Sequence, residues 1–368
     1  MSFRTLTMLA TTTIASAQMC AEAGPANSDT PQPDPTRARL HWSQLPPLPD
    51  TNGVAGAFAG TCNGTLIVAG GANFPDRMPW EGGHKVWHDA VWALKSETGS
   101  WRSIGKLPRP LGYGFSASTP GGLLCVGGSD SERHHTDTFI LSITGDQLSV
   151  KPLPPLPIPL ANGAGAFLGS TAYVCCGSEQ PGEQAATSRF FALDLSRPNP
   201  RWEELPPCPG EPRILPVAAA ANASFYLIGG AALRPKNGQI SRAYLLDAWR
   251  YDPSSGWHPL PNLPRPSVAA PSPAPVIHSM LLLAGGDDGS LAGKVTPEKH
   301  PGFPSHILAL DLASTNWVSF GEVPASRATL PTVEWNGACI LPSGEMRPGV
   351  RSPQVWMLRP DPSTERSK

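Results

Sequence analysis

Short apolar runs, each ending in a pair of small residues, recur along the chain at long and even intervals. They read LIVAGG (66–71), LLCVGG (123–128), YVCCGS (173–178), YLIGG (226–230), LLLAGG (281–286) and CILPSG (339–344). Their small pairs begin at 70, 127, 177, 229, 285 and 343, a period of about 50 to 58 residues. A variable polar loop follows each pair. Then comes a second apolar or alternating run: AVWAL (90–94), TFILS (138–142), FFALDL (190–195), AWRYD (248–252), ILALDL (307–312) and QVWML (354–358). In four copies a tryptophan comes next, at Trp101, Trp202, Trp257 and Trp317. Runs of this length bounded by turn residues predict strands. Four strands per repeat at this period predict an all-β chain folded as a six-bladed β-propeller.

The last repeat has no C-terminal fourth strand. Ala38-Arg39-Leu40-His41-Trp42, followed by LPPLP, supplies the missing piece. This N-terminal strand is expected to complete the sixth blade and leave no open sheet edge. The propeller therefore spans residues 38–360, with a tail at 361–368. The 44 prolines and 37 glycines fall between apolar runs and read as turn punctuation, not as low complexity. With 15% charged residues and a net charge of −1, the chain lacks the basic footprint of a nucleic-acid binder.

Met1-Ser2-Phe3-Arg4, a mildly apolar stretch and Ala15-Ser16-Ala17 predict a signal peptide over 1–17 and a periplasmic or secreted protein. Residues 18–37 read as a polar, Pro-rich linker. Cys20 lacks the small preceding residues of a lipid-anchor site. Of seven cysteines, Cys62, Cys125, Cys175, Cys176 and Cys339 lie on or beside strands of separate repeats. They are expected to be small buried hydrophobes, and no spacing resembles a zinc site.

Loops after the second and fourth strands of a blade open on one face, so they hold the candidates for a pocket over the central channel. The blade-joining loops carry Arg109, Arg213, Arg265 and Arg327, with Asn52 and Asn162 in the other two. Four arginines in a ring would make a cationic mouth suited to a small carboxylate. The alternative is that they support the inner strands. The long loop 72–89 holds Asn73, Trp80, His84, Trp87 and His88, a polar and aromatic mix suited to a sugar. His84 and His88 are four apart but lack a third ligand, so no metal is expected. The sixth loop is short and dense. Its Pro348-Gly349 turn can fold Arg351 back onto Glu345, giving an acid–base and anion-binding pair; read alone, it could equally be a solvated turn.

The repeat organisation resembles the kelch-repeat propellers. The segments 52–58, 66–74 and 344–351 resemble the N-acetylneuraminate epimerase (sialic acid mutarotase) family, and 163–230 resembles that family's opening repeats. The chain thus looks cyclically permuted relative to the family. The family's G-E-x-[KR]-P-G-x-R pattern falls on Gly344–Arg351, which implies Glu345 and Arg351 as catalytic residues.

The resemblance implies an isomerase that equilibrates α and β anomers of N-acetylneuraminate or a related acidic sugar by acid–base ring opening, without a cofactor. Glu345 would move the proton, and Arg351 would hold the sugar carboxylate or stabilise developing charge. Arg213 and Asn52 would be further contacts, with Asn73, Arg109 and Arg327 beside them and Trp80 as a lid. The competing reading is a carbohydrate- or protein-binding module without catalysis. A copper radical oxidase is disfavoured because the five tyrosines form no set with Cys and His. A hydrolytic sialidase is disfavoured because no S-x-D-x-G-x-x-W box recurs.

Overall fold

In the computed structural model, residues 40–361 are described, apart from Asp146 and Glu183. The predicted leader and linker and residues 362–368 lie outside them. Among the described residues, six four-stranded antiparallel sheets follow one another along the chain, and no helix is long and apolar enough to cross a membrane.

The second strand of the first blade, Thr65–Ala69, shows why these runs are continuously apolar. All five residues are buried, because both faces of the sheet are covered by neighbouring blades. Leu66 and Val68 pack with Val333, Trp335 and Ile340 of the sixth blade. Ile67 and Ala69 point the other way and pack with Leu123, Cys125 and Leu141 of the second. The core therefore lies between blades, as strand alternation requires.

Four tryptophans couple their blade to the one before it. Trp101 Nε1 donates to Pro46 O at 2.8 Å, Trp202 to Pro154 O at 3.0 Å, Trp257 to Pro206 O at 3.0 Å and Trp317 to Pro261 O at 2.8 Å. In each case the acceptor belongs to the Pro-rich corner that ends the preceding blade, so ring and indole N–H are both satisfied.

Closure follows the sequence expectation. Leu40–Leu45 pairs antiparallel with Val355–Pro360, from Leu40 opposite Pro360 to Leu45 opposite Val355. The third small pair departs from it by one residue. Cys176 N bonds Arg189 O, and Gly177 N bonds Arg213 O. These bonds match Gly127 N to Asp137 O and Gly128 N to Leu160 O in the second blade. The structural pair is Cys176-Gly177, not Gly177-Ser178, because hydrogen bonding and not glycine spacing sets the register.

Just before the inner strand of every blade, one residue takes a left-handed backbone: Gly56, Tyr113, Asn162, Leu215, Ala269 and Thr329, with φ between 53° and 64°. Their peptides form a closed ring of hydrogen bonds. Gly56 N donates to Thr329 O, Tyr113 N to Gly56 O, Asn162 N to Tyr113 O, Leu215 N to Asn162 O, Ala269 N to Leu215 O and Thr329 N to Ala269 O, at 2.7–2.9 Å. A non-glycine in this conformation costs about 1–2 kcal/mol. Such strain persists where the surroundings over-determine it, and here each blade supplies one link of the ring. Five of the ring residues line both the large cavity above them and a small space of about 60 Å³ below. The ring is thus the floor of the cavity.

Candidate functional site

The cavity over the ring has a volume of about 750 Å³. Loops following second strands and loops joining blades both line it, as the one-face argument expected. Glu345 and Arg351 lie in its wall together with Pro348 and Gly349.

Glu345–Arg347 and Val350–Arg351 form a two-stranded ribbon in which Glu345 stands opposite Arg351. The ribbon is fixed to the ring. Glu345 and Ala328 exchange both backbone hydrogen bonds at 2.9 Å, which places Glu345 next to Thr329. Glu345 Oε1 lies 3.0 Å from Arg351 Nη1, with the Arg351 side chain 4% exposed and that of Glu345 19%. Thr329 Oγ1 donates to Glu345 Oε2 at 3.4 Å.

Arg351 has few other partners. Its Nη2 lies 3.4 Å from Tyr113 OH, and its guanidinium sits 4.8 Å from the Phe74 ring centre. Nε and Nη1 are shielded from solvent and have no aligned hydrogen-bond acceptor among the described residues. The Nη1 contact to Glu345 is therefore ionic in character. The guanidinium holds a positive charge beside Oε1, while Oε2 accepts from Thr329 Oγ1.

Lys85 Nζ lies 5.3 Å from the Trp87 ring centre and 4.9 Å from that of Tyr113, the residue whose hydroxyl reaches Arg351. These two rings meet edge to face at 6.3 Å. Asp130, Asn162, Arg242 and Asp287 complete the polar lining. Asp287 Oδ2 accepts from Tyr244 OH at 2.6 Å, and burial with this carboxylate beside it pushes the Tyr244 hydroxyl up.

The expected cationic mouth does not form: none of the four arginines lines the cavity. Arg213 is 0% exposed and grips Asp247 with Nη1 at 2.7 Å and Nη2 at 2.6 Å. Arg327 is buried on Ser352 Oγ and Gln354 Oε1. Arg109 faces Asp137 Oδ2 at 3.5 Å and His135, and Arg265 donates to His306 O at 2.5 Å. The arginines do not share one place in the repeat. Arg213 and Arg327 occupy the slot of Val54, Leu111 and Leu160, whose carbonyls all bond the second residue of a small pair. That slot points into the structure.

Of the remaining sequence candidates, Asn162 and Trp87 are in the lining, whereas Asn52, Asn73 and Trp80 are not. Asn52 is exposed, with its backbone N–H on Asp50 Oδ1 at 3.0 Å. Asn73 is buried, donating to Asp50 Oδ2 and Gly53 O and facing His88 Nε2 at 2.8 Å. Trp80 packs behind the ribbon, with Arg347 5.7 Å from its ring. Glu345 and Arg351 are the charged sequence candidates that meet at the cavity, with Asn162 and Trp87 also in its lining. Tyr113, Thr329 and Lys85 were not singled out. The first two stand ahead of an inner strand at the place held by Gly56, but share no residue type with it that the sequence could show.

Comparisons with known proteins now have a site to be set against. A family model described as N-acetylneuraminate epimerase matches residues 22–150 and 153–295. The N-acetylneuraminate epimerase of Brucella suis is 41% identical over 127 residues, covering 30% of this chain and 32% of that protein. That of Haemophilus influenzae strain PittEE is 34% identical over 143 residues, covering 35% and 38%. The chain thus spans about a third of the length of these curated relatives in the matched region. The solved structure of YjhT superposes with a TM-score of 0.64 at 17% identity, covering 86% of this chain and 97% of that one, which shows a shared fold. With the family model matched over most of its length, the chain belongs to the N-acetylneuraminate epimerase family.

Proposed function

We propose that the protein equilibrates the α and β anomers of N-acetylneuraminate or a closely related acidic sugar. The observation that carries this reading is the Glu345–Arg351 pair, held at 3.0 Å in the wall of a cavity large enough for a monosaccharide.

Ring opening of a cyclic ketose needs a proton removed from the anomeric hydroxyl and one delivered to the ring oxygen as the carbon–oxygen bond breaks. The open ketone turns, and closure on its other face reverses both transfers, so the reaction is redox-neutral. Glu345 is the base that takes the anomeric proton and, once protonated, the acid that delivers it to the ring oxygen. Arg351 fixes one carboxylate oxygen and supplies positive charge where negative charge develops. Its low exposure favours this role over clamping the sugar carboxylate. Lys85, which lines the cavity beside the Trp87 and Tyr113 rings, is the cation we assign to that carboxylate. The Trp87 and Tyr113 rings offer an apolar wall to the sugar. The basic start and Ala15-Ser16-Ala17 support export, and hence a periplasmic or secreted enzyme; cell fractionation tests this point.

The decisive experiment dissolves one pure anomer and follows exchange by NMR at a pH where spontaneous exchange is slow. Wild type should accelerate it, and Glu345→Gln should reduce the acceleration by about 100-fold or more. No acceleration across a panel of acidic and neutral sugars sinks the proposal, as does full activity in Glu345→Gln. Affinity for the sugar without exchange would mark a carbohydrate-binding module.

A further inference from the structure

Cys208, which the sequence reading did not place, meets the adjacent Cys175 and Cys176 within the third blade. The Sγ atoms of Cys175, Cys176 and Cys208 all lie within 4.8 Å of one another, and all three residues are buried. Cys175 Sγ and Cys176 Sγ are 3.4 Å apart.

Comparison among the blades shows what has changed to bring them together. Cys176 occupies the left-handed position that Gly70, Gly127 and Gly229 hold in other blades, at φ 62°. Cys208 occupies the slot of Leu48, Leu107, Leu156 and Leu263 in the Pro-rich corners; each of these donates its N–H to a backbone carbonyl of its blade. In the first two blades glycine and leucine are pressed together. A Cβ on Gly70 would meet Leu107 Cδ1 at 2.8 Å, and one on Gly127 would meet Leu156 Cδ1 at 3.3 Å. The third blade replaces both partners at once. The shorter side chain at 208 makes room for the Cβ and sulfur at 176, and a strained cysteine stands where glycine would be relaxed. A filler hydrophobe gives no reason for this double exchange. The other non-glycine in this slot, Ser343, uses its hydroxyl fully, bonding Val54 N, Val54 O and Ser352 O.

We propose that Cys175, Cys176 and Cys208 form a buried three-sulfur site for a soft monovalent metal ion of the Cu(I) class. Thiolates select soft ions. Three sulfurs around one ion with metal–sulfur bonds of about 2.3 Å stand about 4 Å apart, which matches the cluster. A structural zinc site needs a fourth ligand. Among the described residues no His, Asp or Glu atom joins the cluster, and all three cysteines are buried. The nearest carboxylate, Asp247, is taken by Arg213 and by Trp249 Nε1 at 2.7 Å. The buried Arg213 guanidinium also offsets negative charge on the sulfurs.

The test titrates Cu(I) anaerobically into the reduced full-length protein in competition with bathocuproine disulfonate. It also measures copper in protein purified from copper-supplemented cultures, so that slow entry to a buried site does not pass for lack of affinity. Wild type should retain one equivalent, show thiolate-to-copper charge-transfer absorption and gain thermal stability. The variant Cys176→Gly/Cys208→Leu, which restores the pair used by the other blades, should fold, keep wild-type sugar activity and hold copper at least 100-fold more weakly. Copper lost equally from both proteins overturns the proposal, as does equal retention by both or preferential retention of Zn(II). A wild-type mass lower by two hydrogens, abolished in the variant, would replace the metal site with a disulfide. The site lies apart from the cavity, so these outcomes leave the sugar reading untouched.

Discussion

Glu345 stands opposite Arg351 across a two-stranded ribbon whose turn is Pro348-Gly349, and the pairing brings Oε1 and Nη1 to 3.0 Å. The turn therefore sets the separation of the two charged groups. Gly349 has φ 81°, and a Cβ there would meet Pro79 Cγ at 3.0 Å and Trp80 Cζ3 at 3.1 Å. Gly349→Ala should cost about 1–2 kcal/mol of local strain and pull the ribbon away from its support. We expect anomer exchange to fall about 10-fold, the equivalent of 1.4 kcal/mol, while the melting temperature drops by a few degrees. Unchanged exchange in this variant would show that the ribbon's register is unimportant.

Tyr113 couples the floor of the cavity to the charged pair, because its backbone belongs to the ring and its hydroxyl lies 3.4 Å from Arg351 Nη2. Tyr113→Phe keeps the ring and removes one partner of a buried guanidinium, a loss of about 1–3 kcal/mol. Turnover should fall about 10-fold, and the melting temperature by a few degrees. A rise in KM alone would assign Tyr113 to sugar binding and not to support of Arg351.

Arg213 should matter for stability and not for substrate. It is 0% exposed and makes a two-pronged contact with Asp247. Removing one partner of a buried pair strands the other, at about 3–5 kcal/mol. Asp247 is 28% exposed, so the lower end applies. Arg213→Met should lower the urea midpoint sharply, and Arg213→Met/Asp247→Leu should recover part of the loss. Folded Arg213→Met should keep wild-type KM.

The contrast between Arg213 and Arg351 shows how far the chain could be read. Strand order, blade number and closure were legible because burial on both faces writes a continuous apolar run, as in Thr65–Ala69. Glu345 and Arg351 were legible because six residues and one turn bring them together. The arginine ring was misread because guanidinium groups suggest surface, and only hydrogen-bond register shows that Arg213 shares a slot with Leu111 and Leu160. Tyr113 and Thr329 were invisible for a related reason. Their shared property is a backbone angle, and six different side-chain environments carry it without a common residue type.

Asp130, in the cavity lining, gives a signature in acid. Burial raises its carboxyl, but the backbone N–H groups of Arg133 and Glu132 and the His135 ring outweigh this and hold it at about 2. His135 Nε2 lies 2.7 Å from Oδ2. A carboxyl depressed in the folded state contributes stability above its unfolded value near 4, and this is lost as pH falls from about 4 to 2. Asp130→Asn should be less stable than wild type by about 1 kcal/mol at pH 6, and the gap should close toward pH 2. Urea midpoints at the two pH values measure this. A gap independent of pH would mean that the hydrogen bonds, and not the charge, carry the contribution.

Gly56, Tyr113, Asn162, Leu215, Ala269 and Thr329 each donate their N–H to the preceding blade, with Gly56 closing the circle onto Thr329. No one of these bonds opens by fraying, since breaking it separates two blades that share an apolar core. Their amides should therefore exchange with solvent only through global unfolding, at the slow limit set by total stability. The hairpin Ala231–Lys236/Gln239–Tyr244 is a useful contrast. It is two-stranded and exposed at its tip, and should open locally. Native-state hydrogen exchange should place the six ring amides together in the slowest class, with the hairpin tip orders of magnitude faster. Ring amides exchanging ahead of the blade strands would mean that the floor opens on its own, and that Tyr113 and Thr329 are not held in place beneath Glu345 and Arg351.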